Sequence, residues 1–170
     1  MLWSYYIDNI DDSHPMTTNS KHIKMICGLI YDKSISMVEF GSYYGYSTAA
    51  FALSSPSSQI ISIDLSCHIS EHKRVSMWNS LGIKNIIPYT MSTSKFLESN
   101  DKYYDVIFHD AIHGAQAYTE YIECIKITDC LIIHDFEQMQ TIQQQKIKQY
   151  FNNTIEDYDS KGRCLFVGKK

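Results

Sequence analysis

Two hydrophobic rhythms alternate along this chain. Short β-branched runs stand at residues 36–40, 59–65, 85–89, 104–109 and 130–134. Each is bounded by polar or turn-forming residues, and each predicts a buried strand. Between them apolar residues recur at three- and four-residue steps. Ile23, Ile26, Cys27 and Ile30 fall on one helical face, with Asn19 or Ser20 placed to cap it. Tyr46, Ala49, Ala50 and Leu53 share another face, as do Tyr118, Tyr121, Ile122 and Ile125. A weaker helical pattern over 72–81 stops at Gly82, and residues 94–98 predict a short helix. A last helix over 139–151 precedes two strands, 155–158 and 164–167. Their link, Asp159-Ser160-Lys161-Gly162, is short and turn-like, which favours an antiparallel hairpin.

Strands that alternate with helices are βαβ units and predict a parallel sheet covered on both faces. The final hairpin breaks that rhythm at the sheet edge. The expected fold is α/β, with a mostly parallel sheet of about seven strands and an antiparallel C-terminal edge strand. Residues 1–19 are polar and aromatic, are broken by Asp11-Asp12-Ser13-His14-Pro15, and read as an arm or lid. Residues 20–170 read as a single domain. In such sheets ligands lie beyond the carboxyl ends of the strands, where the winding reverses. The residues just after each strand are therefore the ones to search for chemistry.

Composition narrows the class. The chain has 170 residues, 44% hydrophobic and 20% charged, as expected of one soluble globular domain. Its net charge of −4, with Lys and Arg scattered, lacks a nucleic-acid footprint. Cys27, Cys67, Cys124, Cys130 and Cys164 form no C-x-x-C pair, so they predict neither a disulfide framework nor a zinc site but a reduced compartment. No apolar run approaches the ~20 residues that span a bilayer. The start, Met1-Leu2-Trp3-Ser4-Tyr5-Tyr6, lacks the basic region of a signal peptide. A cytoplasmic protein without membrane or nucleic-acid partners is expected.

After the first strand stands Val38-Glu39-Phe40-Gly41-Ser42-Tyr43-Tyr44-Gly45-Tyr46-Ser47-Thr48. Two glycines in one turn let the backbone bend sharply and a ligand approach it closely. The helix that follows offers free N–H groups to a carboxylate or phosphate. An ordinary tight turn would use the same residues. The second strand, Ile60-Ile61-Ser62-Ile63-Asp64, adds a carboxylate about twenty residues on, suited to both hydroxyls of a nucleoside ribose. The fourth strand ends Phe108-His109-Asp110-Ala111-Ile112-His113, and the fifth ends Ile133-His134-Asp135-Phe136. A carboxylate beside an imidazole suits general-base work on a hydroxyl and equally suits a divalent metal.

The run Glu39–Ser47 resembles the first motif of class I S-adenosylmethionine (SAM)-dependent methyltransferases. It is similar to the E-x-G-x-x-x-G-Y-S form of the catechol, caffeoyl-CoA and macrolide-sugar O-methyltransferases. A dinucleotide oxidoreductase would carry G-x-G-x-x-G, a spacing that Ser42-Tyr43 spoils. The resemblance extends over residues 16–136 and implies the Rossmann-like methyltransferase sandwich. It implies that Gly41, Ser42, Tyr43, Gly45 and Ser47 hold the methionine part of SAM, and that Glu39 orients the loop or the amino group. Asp64 would take the ribose, and Met91 or Ser92 would border the adenine. Asp110 would join the cofactor site. His113 would act with Asp110 as the general base. Related metal-dependent enzymes bind Mg²⁺ through an Asp after each of these two strands, which lands on Asp110 and Asp135, with His134 adjacent. Four departures stand out: Phe136 where those enzymes carry Asn, His109 where an apolar residue is usual, Ala111-Ile112 where a small polar pair is usual, and Thr128-Asp129 where a double glycine is usual. The implied activity is methyl transfer to a hydroxyl of a small molecule, a phenol, sugar or natural product. The alternative is a SAM-binding sensor, sink or partner subunit without transfer. The variable segments 1–19, 66–71 and 112–118 would shape the acceptor pocket, and the tyrosines of the first and last of them suit an aromatic acceptor pocket or a homo-oligomer interface.

Overall fold

The computed structural model describes residues 7, 18–65 and 69–170. Most of the predicted arm, Cys67 and residues 66–68 of the second variable segment lie outside the described residues. Helix α1 (Ser20–Ile30) buries Ile23, Ile26, Cys27 and Ile30, and the Asn19 side chain caps it by accepting the His22 N–H at 2.8 Å. Then β1 (Ser36–Phe40), α2 (Tyr46–Ser54), β2 (Gln59–Asp64), α3 (Glu71–Ser80), β3 (Ile86–Thr90), α4 (Thr93–Ser99) and β4 (Tyr104–His109) alternate. A 3₁₀ turn (Gly114–Ala117) leads into α5 (Tyr118–Lys126) and β5 (Thr128–Ile133). A second 3₁₀ turn (Phe136–Gln138), α6 (Thr141–Lys148), β6 (Asn153–Tyr158) and β7 (Cys164–Lys169) complete the chain.

The seven strands form one sheet in the order β3-β2-β1-β4-β5-β7-β6. The pairings among β1 to β5 are parallel, and β7 is antiparallel to both β5 and β6. The antiparallel strand is thus the last of the chain, but it sits one place in from the edge. Burial decides this arrangement. Cys164, Leu165, Phe166 and Val167 are all buried and belong between neighbours, whereas β6 is exposed along most of its length and takes the edge. The predicted helix over 139–151 is shorter than expected, with only 141–148 α-helical.

Two apolar layers flank the sheet. One packs α1, α2 and Trp78 of α3 against Met37, Ile60, Phe108 and Ile132. The other packs Phe96 of α4, Tyr121 of α5 and Ile147 of α6 against Phe40, Ile107, Leu131 and Phe166. Neighbouring strand residues face opposite layers, and because β1, β2, β4 and β5 run parallel their carboxyl ends open together at one rim. The winding reverses between β1 and β4, and the described site lies there. Among the described residues no helix is long and apolar enough to cross a membrane.

Candidate active site

The loop after β1 is held by close contacts on both sides. Gly41 has φ +88°, and a Cβ there would stand 2.3 Å from the Asp110 carbonyl oxygen. The Asp110 N–H in turn donates to the Phe40 carbonyl at 2.8 Å, so the loops after β1 and β4 are in backbone contact. Gly45 has φ +81° and caps α2. A Cβ there would meet the Trp78 ring at 2.7 Å, and Trp78 Nε1–H donates to the Gly45 carbonyl at 2.9 Å. Between them Tyr43 adopts φ +47°, and its N–H donates to Asp64 Oδ2 at 2.8 Å. Asp64 thus shapes the loop as well as facing the cleft. Arg74, fully buried, donates from Nη1 to the Tyr43 carbonyl at 3.4 Å and stands 3.6 Å from Asp64 Oδ1.

Glu39 lies beneath this loop with no exposure. Its carboxylate accepts hydrogen bonds from the Ser47 and Thr48 hydroxyls. Burial pushes the carboxyl up to about 7, against the pull of those hydroxyls.

The second half of the site follows β4 and β5. His134, buried, brings Nδ1 within 3.0 Å of Asp110 Oδ1 and 3.4 Å of Asp135 Oδ1. His113 places Nε2 3.8 Å from Asp110 Oδ1 and 3.9 Å from Asp135 Oδ2. Thr18 Oγ1 donates to Asp110 Oδ2 at 2.5 Å, so the start of the described N-terminal segment touches the cluster. Asp135 sits at φ +55°, a left-handed conformation that Asp tolerates better than most side chains. Burial opposes charge throughout. For His134 the flanking Asp110 and Asp135 carboxylates outweigh burial and raise its pKa. For Asp110 the imidazoles of His134 and His113 outweigh burial and hold its pKa low, whereas for Asp135 burial prevails and raises it. His22 packs edge-on against His134 with ring centroids 5.4 Å apart; burial and the neighbouring imidazole lower its pKa.

One ligand atom from each of Asp110, His134 and Asp135 lies within 4.8 Å of the others. These donors do not suit the Mg²⁺ that the resemblance implies. Mg²⁺ demands an octahedral shell of oxygens, whereas here an imidazole nitrogen is hydrogen-bonded to Asp110 and stands 3.4 Å from Asp135, and Phe136 supplies no oxygen.

A cavity of about 580 Å³ joins the two halves. Its lining follows the strand order: Met91 and Ser92 after β3, Asp64 at the end of β2, Gly41 and Tyr43 after β1, and Asp110, His113, His134 and Asp135 after β4 and β5. Glu39, Ser42, Gly45 and Ser47 stand behind this lining: Glu39 and Ser47 bond each other, Gly45 faces Trp78, and Ser42 is buried. Ser92 also caps α4, its hydroxyl accepting the Lys95 N–H at 3.2 Å. Thr18, Glu120 and Arg163 line the cavity without any sequence signal to single them out. Arg74 was equally hidden, as a charged residue in a weakly periodic helix.

A family described as a methyltransferase domain matches residues 38–136, more than half of the chain. A search of curated proteins returns no match. Among solved structures, the chain is similar to the O-methyltransferase TomG from Streptomyces achromogenes, involved in tomaymycin synthesis and solved with SAM. The TM-score is 0.68 at 12% identity, over 98% of this chain and 86% of that one. A SAM-dependent O-methyltransferase from Thermotoga maritima gives 0.68 at 12% identity, over 96% and 71%. A ribosomal protein L11 methylase from Lactobacillus delbrueckii subsp. bulgaricus gives 0.66 at 16% identity, over 91% and 81%. At these identities the likeness is one of fold.

Proposed function

The chain belongs to the methyltransferase-domain family, and from that premise we propose that it transfers a methyl group from SAM to a hydroxyl of a small molecule. One observation carries the reading: a single cavity runs from the loop and Asp64, suited to a nucleoside and its amino-acid tail, to a cluster of two carboxylates and two imidazoles. A binding protein needs the first half of that cavity and has no use for the second. TomG and the Thermotoga enzyme, both described as O-methyltransferases, agree with this reading. The L11 methylase shows that the same fold also serves protein acceptors, so the acceptor must be argued from the site. A net charge of −4 disfavours RNA.

In this mechanism Asp64 accepts hydrogen bonds from the ribose hydroxyls, and the loop around Gly41 takes the amino-acid tail. SAM held there would supply an electrophilic methyl group, the carbon–sulfur electron pair staying with the neutral thioether of S-adenosylhomocysteine as the carbon bonds the acceptor's hydroxyl oxygen. The hydroxyl proton passes to His113 Nε2. The imidazolium so formed lies within 4 Å of Asp110 and Asp135, which stabilise its charge. His134, bonded to Asp110, fixes the orientation of that carboxylate. The enzyme's own work is alignment, water exclusion and proton removal.

Calorimetry with SAM and S-adenosylhomocysteine, followed by a methyl-transfer screen over phenols, sugars and peptides, tests the reading. Binding of both with transfer to a hydroxyl supports it. Binding without transfer to any of the panel turns it into a SAM-binding protein, and binding of neither overturns it.

A further inference from the structure

His109 is a buried imidazole that the mechanism leaves unused. It sits at the end of β4, fully buried between Phe40 and Tyr121, where an apolar side chain would pack as well. Its Nε2 lies 3.0 Å from Glu120 Oε2 on α5. The other oxygen of that carboxylate, Oε1, accepts the Ser94 hydroxyl at 2.7 Å, reaching across to α4. Glu120 is only 12% exposed by its side chain, yet it and Ser94 line the same cavity as Asp64 and His113. A carboxylate oriented from two sides at a cavity wall is a built acceptor. Each of its oxygens keeps a lone pair beyond the one already used.

Ser94 follows Met91 and Ser92 in the chain, so its bond to Glu120 sets that carboxylate beside the end of the cavity below β3, whose remaining wall suits a flat ring. Leu65 directly follows Asp64, and Met91 follows β3; both are apolar and both line the wall. A nucleoside whose ribose sits on Asp64 must put its base in this end, because the opposite end holds the Asp110–His113–His134–Asp135 cluster.

Resting on the cofactor reading above, we infer that Glu120, held by His109 and Ser94, reads the 6-amino group of the cofactor's purine and so selects adenine over 6-oxo purines. The amino group donates to the carboxylate. A 6-oxo group can only accept, and would set its oxygen against an anion. Burial disfavours charge on Glu120, but the hydrogen bonds from His109 and Ser94 outweigh it and keep the group anionic. Burial likewise keeps His109 from gaining a proton of its own, which leaves its Nε2–H free to act purely as a donor. His109 is then a positioning residue, since it meets the ligand only through Glu120.

The test uses the full chain and two probes, S-adenosylhomocysteine and its deaminated analogue S-inosylhomocysteine, in calorimetric titrations. The parent protein is expected to prefer the adenosine form by about tenfold or more, the scale of one charge-assisted hydrogen bond. Glu120→Gln, whose amide can also donate to a 6-oxo group, should shrink that preference to a few-fold at most. Glu120→Asp keeps the charge but withdraws it by one methylene, and should weaken the adenosine form alone; it serves if the amide variant does not fold cooperatively. A parent that binds both forms equally overturns the inference, as does a preference unchanged in both variants. If the parent binds neither, the cofactor reading itself fails, and this inference with it.

Discussion

His113 faces two carboxylates through Nε2, at 3.8 and 3.9 Å, so a proton taken there is stabilised where it arrives. His113→Ala is expected to slow methyl transfer by roughly 10²–10⁴-fold while SAM affinity stays nearly intact. His113→Gln keeps much of the shape without the basicity and should be as slow. Parent-like rates in both variants, measured with any accepted hydroxyl, would remove His113 as the base. Because His134 is already bonded to Asp110 and stands 3.4 Å from Asp135, dialysis against a chelator should leave the rate within about twofold of the untreated protein; a larger loss restored by added divalent metal would argue for an ion after all. Asp64→Asn should weaken SAM binding by roughly 1.5–3 kcal/mol in calorimetry, the worth of charge-assisted bonds to the ribose. Glu39 makes a pH prediction. Its carboxyl titrates near 7 in the fold against an ordinary 4.5. Between those values the folded state holds a proton that the unfolded state has released. Stability is therefore full below about 4.5 and falls as pH rises toward 7, by about 3 kcal/mol in all. Denaturant midpoints at pH 5 and pH 8 should show this loss in the parent and not in Glu39→Gln.

At the scale of the elements, the strand-to-loop junctions carry the site, and their geometry rests on backbone approach. The loop after β1 fits only because Gly41 has no Cβ where the Asp110 carbonyl lies. Gly41→Ala should cost about 1–3 kcal/mol from overpacking alone, with further strain from its left-handed φ. A urea midpoint equal to the parent's would show that the two loops can separate freely. These junctions were legible in sequence: β1 and β4 have the predicted limits, and Asp64, Asp110 and Asp135 stand at the ends or just beyond. The same periodicity did not reveal which loop residues face the ligand. Gly45 and Ser47 belong to the same motif as Gly41, yet one packs on Trp78 and the other bonds Glu39. A motif records which residues a turn needs; it does not separate those that touch the ligand from those that hold the turn.

For the whole molecule, the insertion of β7 between β5 and β6 ties the last strand to the reaction end. Phe166 of β7 stacks on Phe136 with centroids 4.5 Å apart, and Phe136 immediately follows Asp135. Phe166→Ala is expected to cost about 3–5 kcal/mol of stability, as large core truncations do. It should also slow transfer in the fraction that remains folded, by loosening Asp135. Equilibrium unfolding and rate measurements on the same sample check both, and a destabilised protein with an unchanged rate per folded molecule would uncouple the two. The start of α1 is tied to the same hairpin: Asn19 donates to Asp159 at 2.6 Å, and Lys21 pairs with Asp157.

The sequence by itself determined the class of fold and the ends of the strands, because hydrophobic period and turn chemistry are local properties. It also marked Asp64, Asp110, His113, His134 and Asp135, because a chemically reactive side chain just past a buried strand is unusual enough to read. Only the tertiary structure decided the rest. It set β7 inside β6, because which strand goes to the edge depends on how much apolar surface each buries against its neighbours. It made His134, rather than His113, the closer partner of Asp110. It brought Arg74 to Asp64, and His109 and Ser94 to Glu120, across separations that no local pattern encodes. Such pairs form where packing leaves a buried polar group that must find a partner, and that need exists only once the chain has folded.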